Sequence, residues 1–245
     1  MEVLGIDIGG TGIKGAPVNL TTGELLRERY RLKTPKKPSP EKIAKVLKKI
    51  VDHFEWRSAV GVGFPGVVER GQIFTAANLH PRWVGLNAAA LFSEITNCAV
   101  SAINDADAAG LAEIRYGAGK NRHGKVMLFT LGTGIGSALF LDGKLVPNTE
   151  LGHLEMNGKI AEAQAAERVR VEKKLSWKNW TKRVTTYLEL IEFLFSPDLI
   201  ILGGGGGKHF RRIDKSLKLR AEVVPAYHGN LAGIIGAALA PQLVL

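Results

Sequence analysis

The sequence holds a single cysteine, Cys98, in 245 residues. No intrachain disulfide can form, which suits a reducing compartment, and a cytoplasmic location is expected. Its longest apolar runs, "LIIL" and "LAGIIGAALA", fall far short of the roughly 20 residues of a spanning helix, so no membrane partner is expected. The start, "MEVLGIDIGG", lacks a basic segment followed by an apolar one, and no signal peptide is expected. Aromatic residues make up only 7%, with no zinc-knuckle spacing and no aromatic recognition motif. These absences argue against a nucleic-acid partner.

Charge of one sign is what the chain has in excess. Hydrophobic content of 45% and charged content of 23% are ordinary, yet 33 Lys and Arg face 23 Asp and Glu, for a net +10. The excess sits in residues 27–57, 168–183 and 208–220. Each cluster alone is a solvated face; together they hint at a polyanionic partner.

The chain alternates strands and helices throughout. "VLGIDI", "APVNL", "ELLRERYRL", "AVGVGF", "AVSAI", "KVMLFTL", "SALFL" and "LIILG" have strand character. "SPEKIAKVLKKIVDHF" reads as a helix with Ser39 as N-cap, Pro40 in the first turn and one apolar stripe. "DADAAGLAEIRYG", "WKNWTKRVTTYLELIEFLF" and "LAGIIGAALAPQL" read as further helices. "IDIGGTGIKGAPV" and "FTLGTGIGSALFL" share the order strand, "GTGI", strand, about half the chain apart, which predicts two related lobes.

The glycine turns carry the first chemistry. Glycine permits positive φ and close backbone approach, and successive exposed N–H groups suit phosphate oxygens. Gly9, Gly10 and Thr11 form one such turn; Thr133 and Gly134 form the other. Lys14 adds a positive charge, and Asp7 can hold the water shell of a phosphate-bound Mg²⁺. A third run, "LIILGGGGGKH", is not a P-loop, because Leu202 stands at the first glycine position and His209 replaces the hydroxyl residue. Gly203, Gly204 and Gly205 still suit a nucleotide or phosphate chain passing the backbone.

Two polar stretches remain. In "NDADAAG", Asn104, Asp105 and Asp107 lie where a strand ends and a helix begins; ligand-facing groups occur there, and so do N-caps. In "TELGHLE", His153 stands among Glu150 and Glu155, a pattern open to a metal site, an acid/base pair or a sugar pocket.

With "DIGGTGIKG", "FPGVV", "TAAN", "NDADAAGLAE", "LGTGIGSAL", "ELGH" and "LGGG" together, the chain resembles the ROK family of sugar kinases, and more narrowly its polyphosphate-using glucokinase branch. The resemblance implies an α/β, two-lobed actin-like ATPase (ribonuclease H-like) fold with a cleft between the lobes. Residues 1–104 would form a small N-terminal lobe with the closing helix 231–243 packing back on it, and 105–230 a larger C-terminal lobe. The implied reaction is phosphoryl transfer from inorganic polyphosphate, ATP or both to the 6-hydroxyl of glucose, with Mg²⁺, in a homodimer. By the same resemblance Asp105 is the general base, and Gly66, Asn78, Asn104, Glu150, His153 and Glu162 line the glucose pocket. Many relatives follow the histidine with a three-cysteine zinc motif, whereas "GHLEMNGKIAEAQAA" has no cysteine. That departure favours a sugar pocket over a metal at His153, and no zinc is expected. A sugar-responsive repressor is set aside because Met1 lies only six residues before Asp7; an ATP-only hexose kinase stays open.

Overall fold

The computed structural model of the chain describes residues 1–76 and 79–243. Its packing divides the chain into two compact units, Met1–Ala112 with Leu231–Leu245, and Glu113–Asn230.

The first unit is built on a five-stranded sheet of order β3-β2-β1-β4-β7. Strands β1 (Glu2–Ile8) and β2 (Gly12–Asn19) form a hairpin in continuous register from Glu2↔Asn19 to Ile8↔Ile13. β3 (Tyr30–Lys33) is antiparallel to β2, while β4 (Val60–Phe64) and β7 (Val100–Asn104) run parallel to β1. Between them come helix α1 (Pro40–His53), the short pair β5 (Val68–Glu69) and β6 (Gln72–Ile73), and α2 (Ala88–Thr96). Strand alternation explains the two faces. Leu4, Ile6, Ile8, Val60, Val62 and Phe64 join the core with Ile43, Leu47 and Ile50 of α1. The intervening Gly5 and Gly61 point the other way, where any Cβ would strike the carbonyls of Ile234 and Ala237 in α8 (Ala232–Leu239). The valines of "VGVGF" fill the core and Gly61 admits the α8 backbone, while Gly63 has room for a Cβ.

Helix α3 (Asp105–Tyr116) follows β7 directly. The division between units falls inside it, after Ala112, and not at its first residue. Its opening turns belong to the first sheet, because Gly236 of α8 lies against the Ala108 carbonyl with no room for a Cβ. The first unit, not the second, therefore holds slightly more residues.

The second unit repeats the plan with order β10-β9-β8-β13-β14. β8 (Lys125–Leu131) and β9 (Ile135–Leu141) form the hairpin, and β10 (Lys144–Val146) extends it. Next come β11 (Glu155–Met156) and β12 (Lys159–Ile160), α4 (Glu162–Ala165), α5 (Glu167–Glu172) and α6 (Trp177–Phe195). β13 (Leu199–Gly203) and β14 (Glu222–Pro225) are parallel additions beside β8. α6 starts at Ser176, whose hydroxyl accepts from Asn179 N at 3.3 Å, and lays Trp180, Val184, Tyr187 and Ile191 on Met127, Phe129 and Leu202. Burial drives the Tyr187 hydroxyl strongly upward in pKa. Among the described residues no helix is long and apolar enough to cross a membrane.

Two expectations for local structure change. Of "ELLRERYRL" only the end pairs, in strand Tyr30–Lys33, with Leu25 making a single bridge to Val18; Arg27 between them sits 5.0 Å over the Phe54 ring. The run after β13 is not a plain turn: Gly204–Gly207 closes into a short helix, α7.

Candidate active site

In the first unit, the residues around the "GGTG" turn form a charged row across three strands. Asp7 pairs with Lys14 in the β1–β2 register, and Lys14 with Arg31 in the β2–β3 register, so all three share one face. Lys14 Nζ stands 2.8 Å from Asp7 Oδ2, with both side chains mostly buried. Arg31 Nη2 donates to the Thr11 carbonyl at 3.1 Å, and its guanidinium covers Gly12. Thr34 Oγ1 donates to the Gly9 carbonyl at 2.6 Å, and Gly9 N to the Gly12 carbonyl at 3.1 Å. Two cations against one carboxylate leave a positive balance beside an exposed turn, Gly10-Thr11, suited to an anion. Asp7 also packs on Gly233 at the start of α8, where the helix dipole favours its charge. Arg31 was hidden in the basic stretch 27–57; only the strand register singles it out.

Asn104 and Asp105 divide the two tasks their position allowed. Asn104 is buried, its Oδ1 accepting from Ala106 N at 2.8 Å and Asp107 N at 3.0 Å, while its Nδ2 donates to the Gly66 carbonyl at 3.1 Å. Asn104 is thus the N-cap of α3 and also ties down the "FPG" turn. Gly66 admits no Cβ, which would collide with the Thr75 carbonyl. Asp105 is the first residue of α3 and is half-buried, with Asp107 buried behind it. Asn78 lies outside the described residues.

In the second unit, Glu150, His153 and Glu162 come together. His153 Nδ1 is 4.0 Å from Glu150 Oε2 and its Nε2 is 3.9 Å from Glu162 Oε1. The "ELGH" segment is a 3₁₀ turn anchored on β9: Ser137 Oγ donates to the Thr149 carbonyl and accepts from Leu151 N at 2.9 Å. Gly152 fits only without a Cβ, against the Ile135 carbonyl. Burial raises the Glu150 pKa, His153 opposes that shift, and the neighbouring Glu162 charge adds to it. Glu162 opens α4 and reaches the second glycine turn, where its Oε2 accepts from Ile135 N at 3.4 Å and lies against Gly134. That contact brings Thr133 and Gly134 beside the carboxylates. Among the described residues, no group of three or more His, Cys, Asp or Glu side chains is arranged to hold a metal.

Close contacts account for some turn glycines, such as Gly9, Gly12 and Gly134, but not for Gly10, which has open space around it. Gly9, Gly10, Gly12 and Gly134 are not among the positive-φ residues, whereas Gly204 has φ +72° and would meet Leu131 backbone atoms. Gly203 admits a Cβ at van der Waals distance, and Gly205 packs on the Glu167 carboxylate. After α7, Lys208, His209, Phe210, Arg211 and Arg212 line an open cavity of about 560 Å³. Arg212 and Arg170 both lie over the Trp177 ring, at 4.9 and 4.0 Å, and His209 is 4.5 Å from it.

Residues 3–169 match the ROK family, and the chain belongs to that family. It is 48% identical over 237 residues to the polyphosphate glucokinase of Mycobacterium tuberculosis (strain ATCC 25618 / H37Rv), covering 96% of this chain and 89% of that one. The Mycobacterium leprae polyphosphate glucokinase is likewise 48% identical, with 96% and 73% covered. Among solved structures, the inorganic polyphosphate/ATP-glucomannokinase of Arthrobacter sp. strain KM is 47% identical with a TM-score of 0.95 over 99% of both chains. A ROK family glucokinase from Streptomyces griseus, in complex with glucose and AMPPNP, is 25% identical with a TM-score of 0.87, covering 99% and 100%. With two sheets of the same topology, the fold is that of the actin-like ATPases.

Proposed function

We propose that the chain is a glucokinase that transfers a phosphoryl group from inorganic polyphosphate, ATP or both to the 6-hydroxyl of glucose. The observation that carries this is 47–48% identity across nearly the whole chain to a polyphosphate glucokinase and a polyphosphate/ATP-glucomannokinase. The second name also makes mannose a candidate acceptor.

Asp105 is the general base, accepting the proton of the 6-hydroxyl as its oxygen attacks phosphorus. Asn104 holds the start of α3 in place, so that capping does not fall to Asp105. Glu150, His153 and Glu162 accept and donate hydrogen bonds to sugar hydroxyls, and Gly66 and Asn78 keep the glucose-binding role that the family resemblance gives them. A carboxylate can serve two adjacent hydroxyls, and charged hydrogen bonds contribute roughly 1.5–3 kcal/mol each. Gly10, Thr11, Thr133, Gly134 and Gly203–Gly205 serve as phosphate-donor contacts, Gly9 shapes the first turn through its own N–H bond to the Gly12 carbonyl, and Lys14 and Arg31 supply charge.

A single carboxylate already paired with a lysine is not a cation cage, but it fits Mg²⁺ that keeps its waters and is shared with phosphates. Asp7 would hold that ion, which neutralises developing charge on the transferred group. A cytoplasmic homodimer without structural zinc completes the proposal; the single cysteine suits a reducing compartment, and the histidine segment has no cysteines to hold zinc. The test is phosphorus NMR of the product formed from glucose with each donor in turn. A phosphate on carbon 6 is expected; phosphate at another carbon, or no sugar phosphate with either donor, would refute the proposal.

A further inference from the structure

A second basic cavity lies in the second unit, away from the glycine turns in sequence and built from different elements. It encloses about 320 Å³ between the β11–β12 hairpin, α4, the end of α5 and α6. Of its nine lining residues four are cations, Lys159, Lys173, Lys182 and Arg183, and none is a carboxylate or an aromatic ring. Asn157 and Thr186 add an amide and a hydroxyl to the lining.

The cavity is held by specific contacts. Gln164 Nε2 donates to the carbonyls of Met156 and Lys159, the latter at 2.9 Å, fixing the hairpin to α4. Arg183 Nη1 donates to the Gln164 carbonyl at 3.3 Å, fixing α6 to the same wall. Lys182 and Thr186 are one helical turn apart and share a face of α6. Among the described residues none of the four cations makes an ion pair; Glu162 bonds Ile135 N and Glu172 lies 3.9 Å from Arg168, while Glu155 of β11 and Glu189 of α6 are outside the lining. Unneutralised cations around a concavity repel one another and focus positive potential into it. A solvated face disperses such charges or interleaves acids among them; here the lining collects them.

We propose that this cavity is an anchoring site for an inorganic phosphate chain, distinct from the residues assigned to phosphoryl transfer. The lining offers charge and hydrogen-bond donors for phosphate oxygens and no ring on which a base would stack, which favours inorganic polyphosphate over nucleotides or nucleic acid. The choice of ligand rests on polyphosphate being the donor; the binding itself does not require turnover.

The test compares the wild-type protein with the triple variant Lys159→Ala, Lys173→Ala, Lys182→Ala by calorimetric titration with long-chain inorganic polyphosphate at several salt concentrations. Arg183 is left in place because it braces Gln164. By analogy with single-stranded nucleic acid, each lost contact removes about 0.7 from the slope of log K against log salt, so the slope should fall by about 2. Glucose phosphorylation from ATP should be unchanged, which also shows that the variant is folded. The triple Lys→Arg variant should keep wild-type binding. Superimposable isotherms for wild type and the Ala variant would overturn the proposal, as would an oligonucleotide binding more tightly than polyphosphate through the same lysines. Lysine-dependent binding with no transfer from polyphosphate would uphold this site and defeat the donor assignment. Transfer from polyphosphate with binding indifferent to the lysines would do the reverse.

Discussion

Removing the Asn104 side chain should destabilise the protein far more than removing that of Asp105, although the two are adjacent and both polar. Asn104→Ala deletes the acceptor for Ala106 N and Asp107 N and the donor to the Gly66 carbonyl, all at a buried position. Loss of the cap costs about 1 kcal/mol. A partly buried carbonyl left without its donor adds about 1–3 kcal/mol, for a sum of about 2–4 kcal/mol. At about 2–4 °C per kcal/mol for a chain of this length, Tm should drop by about 4–16 °C. Asn104→Asp keeps an acceptor for both N–H groups and should lose only the Gly66 share. Asp105→Ala leaves both cap bonds of Asn104 in place and gives up a favourable charge near the helix start, about 0.3–1 kcal/mol. Thermal melts followed by circular dichroism read the difference. An Asp105→Ala protein that melts lower than Asn104→Ala would show that the cap has been assigned to the wrong residue.

Four further outcomes follow from the same geometry. Glu150 has its pKa raised, so its carboxylate is lost as pH falls through a higher value than usual, and glucose KM should climb there; its neutral form correspondingly favours the folded state at low pH, an advantage lost as pH rises through that raised value. Glu162→Gln removes the like charge and should shift the acid limb of the KM profile to lower pH, and a limb that stays put would disconnect the two residues. Gly152→Ala forces a Cβ onto the Ile135 carbonyl, which should cost about 1–3 kcal/mol and raise glucose KM; an unchanged KM would remove the "ELGH" turn from the sugar pocket. Charge reversal at Arg211 and Arg212 should raise KM for long polyphosphate and steepen no part of the ATP response, while reversal at the outer-face Lys45 and Lys49 of α1 should do neither; equal effects would make the basic excess a solubility feature.

Much of the fold could be read before the structure because it rests on periodicity. The strand character of "AVGVGF" and the duplicated "GTGI" predict a strand there and two related lobes. The long helix Trp177–Phe195 coincides with its apolar stripe. Family and fold followed from the motifs themselves. What stayed out of reach depends on contacts distant in sequence. Arg31 becomes a neighbour of Lys14 only through strand register, and Glu162 meets Gly134 only once α4 is placed. The division of labour between Asn104 and Asp105 is set by which side chain turns inward, which spacing does not encode. The glycine run after β13 reads as a turn because glycine is a poor helix former, yet packing against Leu131 and Trp180 selects α7.

The central claim is that this chain phosphorylates glucose through Asp105, and the rate of glucose 6-phosphate formation measures it most directly. Wild-type protein and Asp105→Asn should be compared with glucose and Mg²⁺, using long-chain polyphosphate and ATP in turn. The account predicts turnover in the wild type and a loss of roughly 10²–10⁴ in kcat for the variant with its Tm nearly unchanged. Near-wild-type kcat in Asp105→Asn, or no glucose 6-phosphate from the wild type with either donor, would contradict it.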